Sequence, residues 1–239
     1  MTKTVYFVGA GPGDPDLITV KGNALLMRAD VLIYAGSLVN PALVARSPAP
    51  EKYDSWGMKL PEMVGIMQEA ADAGKCVVRL HSGDPALYGA IVEQIADLEK
   101  AGIEVEVVPG VSSMFGAAAA LKTQFTLRGV SESVIVTRPA GATLESDQIA
   151  EFARTGATLV VFLGTEHMEE VLAKAACPPE TPAAVVYHAT WPDQIVVRGT
   201  VADIAAKARA AGIERSALII IGGVVDATRS AYTNSDLYG

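Results

Sequence analysis

Cysteine is nearly absent from this chain: two occur among 239 residues, Cys76 inside an apolar run and Cys177 ahead of Pro178-Pro179. A disulfide framework or a cysteine-built metal site needs more, so both are read as free thiols. Histidine is as scarce, and His81, His167 and His188 are too scattered to argue for a metal. No apolar run approaches the roughly 20 residues that span a bilayer. Thr2-Lys3-Thr4 leads straight into a strand pattern rather than into a signal-peptide core, so no membrane association and a cytoplasmic location are expected. A dense basic run is also missing. With 19 Lys+Arg against 27 Asp+Glu, a formal net charge of -8, nucleic acid is a poor partner. A small anionic substrate is not excluded by this balance, because a few local Arg, Lys or backbone amides hold one whatever the total charge.

What the chain does have is apolar material, 50% of its residues, enough for one large or two modest domains. Short β-branched runs alternate with longer stretches of helical period. Strands are expected near 4–9, 30–34, 76–80 and 104–108, with helices near 16–28, 60–73 and 86–100. Leu87, Ile91, Ile95 and Leu98 form one apolar face of the last of these, which the Asp84-Pro85 pair would open. Met63, Met67 and Met114 sit among apolar periodic residues and read as core. A helix over the small residues 111–121 and a looser stretch 122–132 precede a second series. Its strands are expected near 133–137, 158–163, 183–187, 195–198 and 217–221, and its helices near 144–154, 166–175 and 201–211. The rhythm predicts an α/β protein with mostly parallel strands. It divides into an amino-terminal domain over 1–112, a connecting segment over 113–132, a carboxyl-terminal domain over 133–225 and a polar tail over 226–239.

The first strand breaks into Gly9-Ala10-Gly11-Pro12-Gly13-Asp14-Pro15. Glycine there lets the main chain turn sharply and approach a ligand with no Cβ in the way. A dinucleotide fingerprint starting at Gly9 would need Gly or Ala where Asp14 stands, so an NAD-type loop is not expected. Asp14 followed by Pro15 reads instead as an N-cap and first helical residue. In open α/β sheets ligands sit beyond the carboxyl ends of strands. Six unusual loops fall at such ends: 9–14, 34–38, 81–88, 110–113, 163–166 and 188–193.

Four ordered motifs make the chain resemble the tetrapyrrole methylases that use S-adenosylmethionine, over nearly its whole length. Val8-Gly9-Ala10-Gly11-Pro12-Gly13-Asp14-Pro15 with Leu17-Ile18-Thr19 is similar to the family's first signature, and Ser82-Gly83-Asp84-Pro85 with Tyr88-Gly89 to its second. Pro109-Gly110-Val111-Ser112-Ser113 is similar to the third, and Ala189-Thr190-Trp191-Pro192-Asp193-Gln194 to the carboxyl-domain segment. Tyr34-Ala35-Gly36-Ser37-Leu38-Val39, Trp56-Gly57-Met58 and Glu62-Met63 narrow the likeness further. The resemblance implies two α/β/α domains of the class III methylase type with a cleft between them, a homodimer, and S-adenosylmethionine bound in that cleft. It also implies a tetrapyrrole substrate methylated at carbon 11 of precorrin-4, with or without cobalt, on the way to cobalamin.

By the same resemblance the cofactor falls to Pro12, Ser82, Gly83, Asp84, Leu87, Tyr88, Ser112, Ser113, Leu163 and Ala189, many of them acting through backbone groups. Asp84 keeps two readings, helix N-cap and cofactor neighbour. A sulfonium methyl is already a strong electrophile, so alignment carries the reaction and no catalytic residue is assigned. For the substrate's carboxylates the candidate donors are Lys21, Lys59, Arg79, His81, Arg128 and Arg138, with His81 and Arg138 foremost. Tyr34 and Ser37 line a pocket or shape a turn, and Trp191 is a wall or packed core. Other readings are a different tetrapyrrole methylase such as uroporphyrinogen-III methyltransferase, a relative that modifies ribosomal RNA or the diphthamide precursor, and a non-catalytic cofactor-binding module.

Overall fold

Valine, leucine and isoleucine dominate the central strands because both their faces are covered, whereas the edge strand Glu51–Asp54 keeps charged residues. The computed structural model describes residues 3–226 and 232–234. They fall into two compact units, Met1–Ser113 and Met114–Gly239. Each is built on a five-stranded sheet.

The first sheet holds β1 (Thr4–Gly9), β2 (Val31–Tyr34), β3 (Glu51–Asp54), β4 (Val77–His81) and β5 (Glu104–Val108) in the order β3-β2-β4-β1-β5. Every pairing is parallel. On one face Val8, Leu32, Val78 and Leu80 pack with Leu25 and Leu26 of α1 (Val20–Leu26) and Leu43 of α2 (Pro41–Arg46). On the other Val5, Phe7, Ile33 and Val77 pack with Met63 and Met67 of α3 (Leu60–Asp72) and Leu98 of α4 (Val92–Lys100). Asp14 caps a 3-10 turn, Pro15–Leu17, by accepting the Asp16 N–H at 2.9 Å. The helix expected over 16–28 is therefore in two pieces. Ile18 is extended, and Thr19 starts α1 afresh by accepting the Gly22 N–H at 3.0 Å.

The helix expected from residue 86 begins only at Val92. Tyr88 and Ala90 have φ of 55° and 48°, left-handed values that no right-handed helix accommodates, so the apolar face was real but its first turn is a loop.

In the second unit α5 (Ser113–Leu121) precedes β6 (Val134–Thr137), α6 (Ile149–Ala153), β7 (Thr158–Val161) and α7 (Met168–Ala175). After these come β8 (Pro182–Tyr187), β9 (Ile195–Thr200), α8 (Ile204–Ala210) and β10 (Ala217–Ile221), and the sheet order is β6-β7-β10-β8-β9. Only the β6–β7 pairing is parallel; β10 is antiparallel to both its neighbours, and β8 and β9 form a hairpin. This corrects the expectation of mostly parallel strands: a short turn joins β8 directly to β9, and no crossover helix intervenes to restore direction. Ile149, Met168, Val171, Leu172, Ile204 and Ala208 cover one face of this sheet. The segment 122–132 bonds into the same unit: Thr123 Oγ1 donates to Val224 O at 2.7 Å and Thr158 Oγ1 to Phe125 O at 2.9 Å. Of the tail, residues 227–231 and 235–239 lie outside the described residues.

Helix α7 ends on exposed Ala176, whose φ of 49° and ψ of 30° are left-handed. Glycine adopts that conformation without the Cβ clash. Ala176→Gly is expected to raise the stability of the protein by about 0.5–1 kcal/mol, read from the urea unfolding midpoint.

Candidate functional site

Three strand ends of the first unit come together at close main-chain contact. β1 finishes at Gly9 opposite His81 of β4, and the Ala10 N–H donates to His81 O at 2.7 Å. Gly11 and Gly83 then exchange backbone hydrogen bonds of 3.2 and 2.9 Å. A Cβ on Gly9 would stand 2.5 Å from Gly110 Cα, and one on Gly110 would stand 2.2 Å from Gly83 O. The loops after β1, β4 and β5 thus approach to a distance that only glycine permits.

Asp84 joins two of these loops. One carboxylate oxygen accepts the Ala86 N–H at 2.8 Å, and the other accepts the Gly110 N–H at 2.8 Å. The cap reading survives in altered form: the Ala86 bond closes a local turn well short of α4, while the Gly110 bond is a tie across the sheet end. Beyond it Leu87 is half-buried, Tyr88 is exposed with left-handed φ, and Gly89 lies so close to Pro85 that a Cβ would meet its carbonyl at 2.2 Å. Pro12 is buried in the first loop, Ser82 half-buried in the second, and Ser112 buried in the third with its Cα 3.6 Å from where a Gly83 Cβ would be. Ser113 opens α5.

Beneath the second loop lie Arg79 and His81, only 5% and 4% exposed. The His81 ring stacks on Phe7, centroids 5.6 Å apart, and burial together with the Arg79 charge lowers its pKa to about 3, so it is neutral. Burial lowers Arg79 to about 10 against the pull of Asp54, leaving it charged at neutral pH. Its Nε makes a long contact of 3.5 Å to Gln94 Oε1, and Gln94 Nε2 donates to Ala90 O at 2.7 Å. Arg79 Nη1 and His81 Nε2 have no protein partner. Both residues were expected at the substrate; burial removes them from direct contact and places them as support for the loop. Gln94 escaped the sequence reading, although a glutamine on the apolar face of Ile91, Ile95 and Leu98 was the available signal.

The remaining candidates are dispersed. Tyr34 ends β2, and its carbonyl accepts both the Ser55 N–H at 3.0 Å and the Ser55 hydroxyl at 2.9 Å. Ser37 lies in the 3-10 turn Gly36–Leu38, and Lys59 is exposed at the start of α3. Lys21 pairs with Glu106. In the second unit Arg138 donates to Thr143 Oγ1 at 2.6 Å and Thr143 O at 3.0 Å, closing the loop after β6. Arg128 donates to Asn234 O at 3.1 Å. Leu163, just past β7, is 62% exposed with a φ of 55°. Ala189 is buried between two left-handed residues, His188 and Thr190. His188 stacks on Tyr187 and Trp191, with Nδ1 3.0 Å from Asp193, which orders the turn between β8 and β9. Two hollows of about 560 and 680 Å³ in this unit, around Thr123 and Arg198, contain none of the expected site residues. Among the described residues no helix is long and apolar enough to cross a membrane, and no group of three or more His, Cys, Asp or Glu is placed to hold a metal.

An open parallel sheet with a backbone-lined junction at the carboxyl ends of its central strands defines the class: an α/β protein whose central strand ends meet through close main chain rather than around a charged cluster. Residues 4–205 match the model of the tetrapyrrole (corrin/porphyrin) methylases, and the chain belongs to that family. It is 48% identical over 237 residues to a cobalt-precorrin-4 C(11)-methyltransferase of Methanocaldococcus jannaschii, covering 97% of this chain and 92% of that one. A solved structure of a cobalt precorrin-4 methyltransferase, a cobalamin biosynthetic enzyme, superposes with a TM-score of 0.90 at 45% identity, over 94% of this chain and 96% of the other. The uroporphyrin-III C-methyltransferase of Thermus thermophilus, solved with S-adenosylhomocysteine, gives 0.80 at 32% identity, over 94% and 99%.

His81 is depressed from its ordinary 6.5, so on acidification the unfolded chain takes up the proton first. The stability this residue supports is whole above pH 6.5 and drains as pH falls toward about 3. Urea unfolding at about pH 5 is expected to show about 2 kcal/mol less stability than at about pH 7 from this group alone. His81→Phe is expected to remove that part of the difference; an unchanged pH dependence in the variant would count against a buried neutral imidazole.

Proposed function

We propose that this chain transfers a methyl group from S-adenosylmethionine to carbon 11 of precorrin-4, or of its cobalt form, in the construction of cobalamin. The observation that carries the reading is the glycine-lined junction of Gly9, Gly83 and Gly110, in a chain 48% identical to a relative named for this reaction. The junction suits the cofactor chemically: a nucleoside joined to an amino acid presents hydroxyl, amine and carboxylate groups that backbone N–H and C=O groups match, and side chains would only stand in the way.

When bound, S-adenosylmethionine supplies an electrophilic methyl on a sulfonium. The chain's own part is to hold and align. Pro12, Ser82, Gly83, Asp84, Leu87, Tyr88, Ser112 and Ser113 in the first unit, with Leu163 and Ala189 in the second, are the proposed cofactor contacts. Asp84 keeps the second and third loops in register through its bond to Gly110, while its bond to Ala86 closes the turn of its own loop. Strained backbone at Tyr88 and Leu163 supports the assignment, since left-handed non-glycine residues persist where the surroundings hold them in place. Tyr34, Ser37 and Arg138 are the proposed substrate contacts, with His81 acting from beneath the loop. The electron-rich macrocycle is its own nucleophile, so in-line alignment carries most of the rate and no covalent residue is required. The working form proposed is a cytoplasmic homodimer with no nucleic-acid partner.

Calorimetric titration with S-adenosylhomocysteine is expected to give about one site per chain, and turnover is expected to add one methyl that isotope labelling maps to carbon 11. A methyl at another ring carbon would assign the chain to a different tetrapyrrole methylase, and binding without turnover would leave a cofactor-binding module. Asp84→Ala, which loses both ties, is expected to weaken S-adenosylhomocysteine binding about tenfold, equivalent to about 1.4 kcal/mol. Unaltered affinity in a folded variant would remove Asp84 from the site.

A further inference from the structure

The most exposed aromatic side chain among the described residues is Trp56, 82% exposed on the turn between β3 and α3. An indole in water forgoes the burial that makes tryptophan valuable, and a loose loop would explain that. This loop is not loose. Ser55 donates twice to Tyr34 O, the Trp56 N–H donates to Asp54 Oδ1 at 2.9 Å, and the Met58 N–H donates to Ser55 O at 3.1 Å. Gly57 takes the φ of 80° that closes the turn. A Cβ on Gly36 would stand 3.4 Å from Trp56 Cε3, so the ring rests against the backbone of the neighbouring turn, where Leu38 is exposed as well.

Both turns leave the carboxyl edge of the sheet, one after β2 and one after β3, and those strands are paired. They carry Tyr34 and Ser37, the proposed substrate contacts, and they lead to Lys59. Among the described residues Lys59 makes no ion pair, and the Trp56 indole N–H has no protein acceptor. A fixed flat apolar surface followed at once by an unpaired cation matches a macrocycle edged with carboxylates.

We propose that Trp56 and Lys59 form a subsite for a polycarboxylate tetrapyrrole, the indole bearing on the face of the ring and the ammonium taking a peripheral carboxylate. This rests on the methyltransferase reading above. The subsite adds selectivity by size and charge and takes no part in methyl transfer.

The test uses the intact protein and uroporphyrin III, a stable octacarboxylate macrocycle, titrated by its visible absorbance, with S-adenosylhomocysteine titrated calorimetrically in parallel and the protein mass followed by light scattering. Trp56→Ala is expected to weaken uroporphyrin binding about tenfold or more while S-adenosylhomocysteine affinity holds. Trp56→Phe, which keeps a flat ring, is expected to stay within about threefold of the parent. Lys59→Ala is expected to weaken binding and flatten its salt dependence. Parent-like uroporphyrin affinity in Trp56→Ala overturns the subsite alone. So does a change of mass without a change of uroporphyrin affinity, which makes the shelf a contact between copies of the chain. A parent protein that binds S-adenosylhomocysteine but no uroporphyrin overturns the tetrapyrrole reading and the subsite with it.

Discussion

The approach of three backbones at Gly9, Gly83 and Gly110 is the constraint on which the first unit depends. A Cβ at Gly110 would lie 2.2 Å from a carbonyl oxygen, so the strand ends meet at a separation no other residue allows. That closeness brings main-chain groups from β1, β4 and β5 to one place, and it sets where each loop must leave the sheet. The loop after β4 leaves through Gly83 at a φ of 62°, is tied by Asp84 to Gly110, and turns twice more through left-handed Tyr88 and Ala90 before α4 begins. A junction made this way presents hydrogen-bonding backbone rather than reactive side chains, the character that the proposed alignment of a sulfonium methyl would draw on.

The layer beneath carries a cost that the loop above explains. A charged arginine and a neutral histidine, each with an unpartnered nitrogen, are unfavourable guests in an apolar face. Arg79 reaches Gln94, Gln94 holds the carbonyl of Ala90, and Ala90 is one of the strained residues of the loop. The contact of Arg79 is long, so the firm link in this chain is the one from Gln94 to Ala90. Desolvation keeps His81 uncharged, which avoids placing two buried cations side by side.

The second unit solves the same problem with different means. Its sheet is mostly antiparallel, and strain collects at Leu163, His188 and Thr190, all just beyond strand ends. The stack of Tyr187, His188 and Trp191 with the His188–Asp193 contact stiffens the hairpin turn around Ala189. Trp191, for which the sequence left wall and core open, takes a place in that stack. Arg138, a plausible carboxylate fork by its position, spends two of its donors on Thr143.

Much of this protein was readable from residue order alone. Apolar β-branched runs located β1 and β10 to the residue, because central strands buried against both layers cannot hide their pattern, and the Asp14 cap followed from side-chain chemistry acting over two residues. The glycine spacings and the ordered motifs carried the family for the same reason: close backbone approach restricts identity at the position itself. What needed the tertiary structure were relations between segments distant in sequence. The late start of α4, the antiparallel placing of β10, the second bond of Asp84 and the burial of Arg79 and His81 all arise from neighbours outside the local window. The stranded indole of Trp56 belongs with them. Periodicity and capping report the forces within a few residues, whereas exposure and pairing are decided only when the sheet has brought its strand ends together.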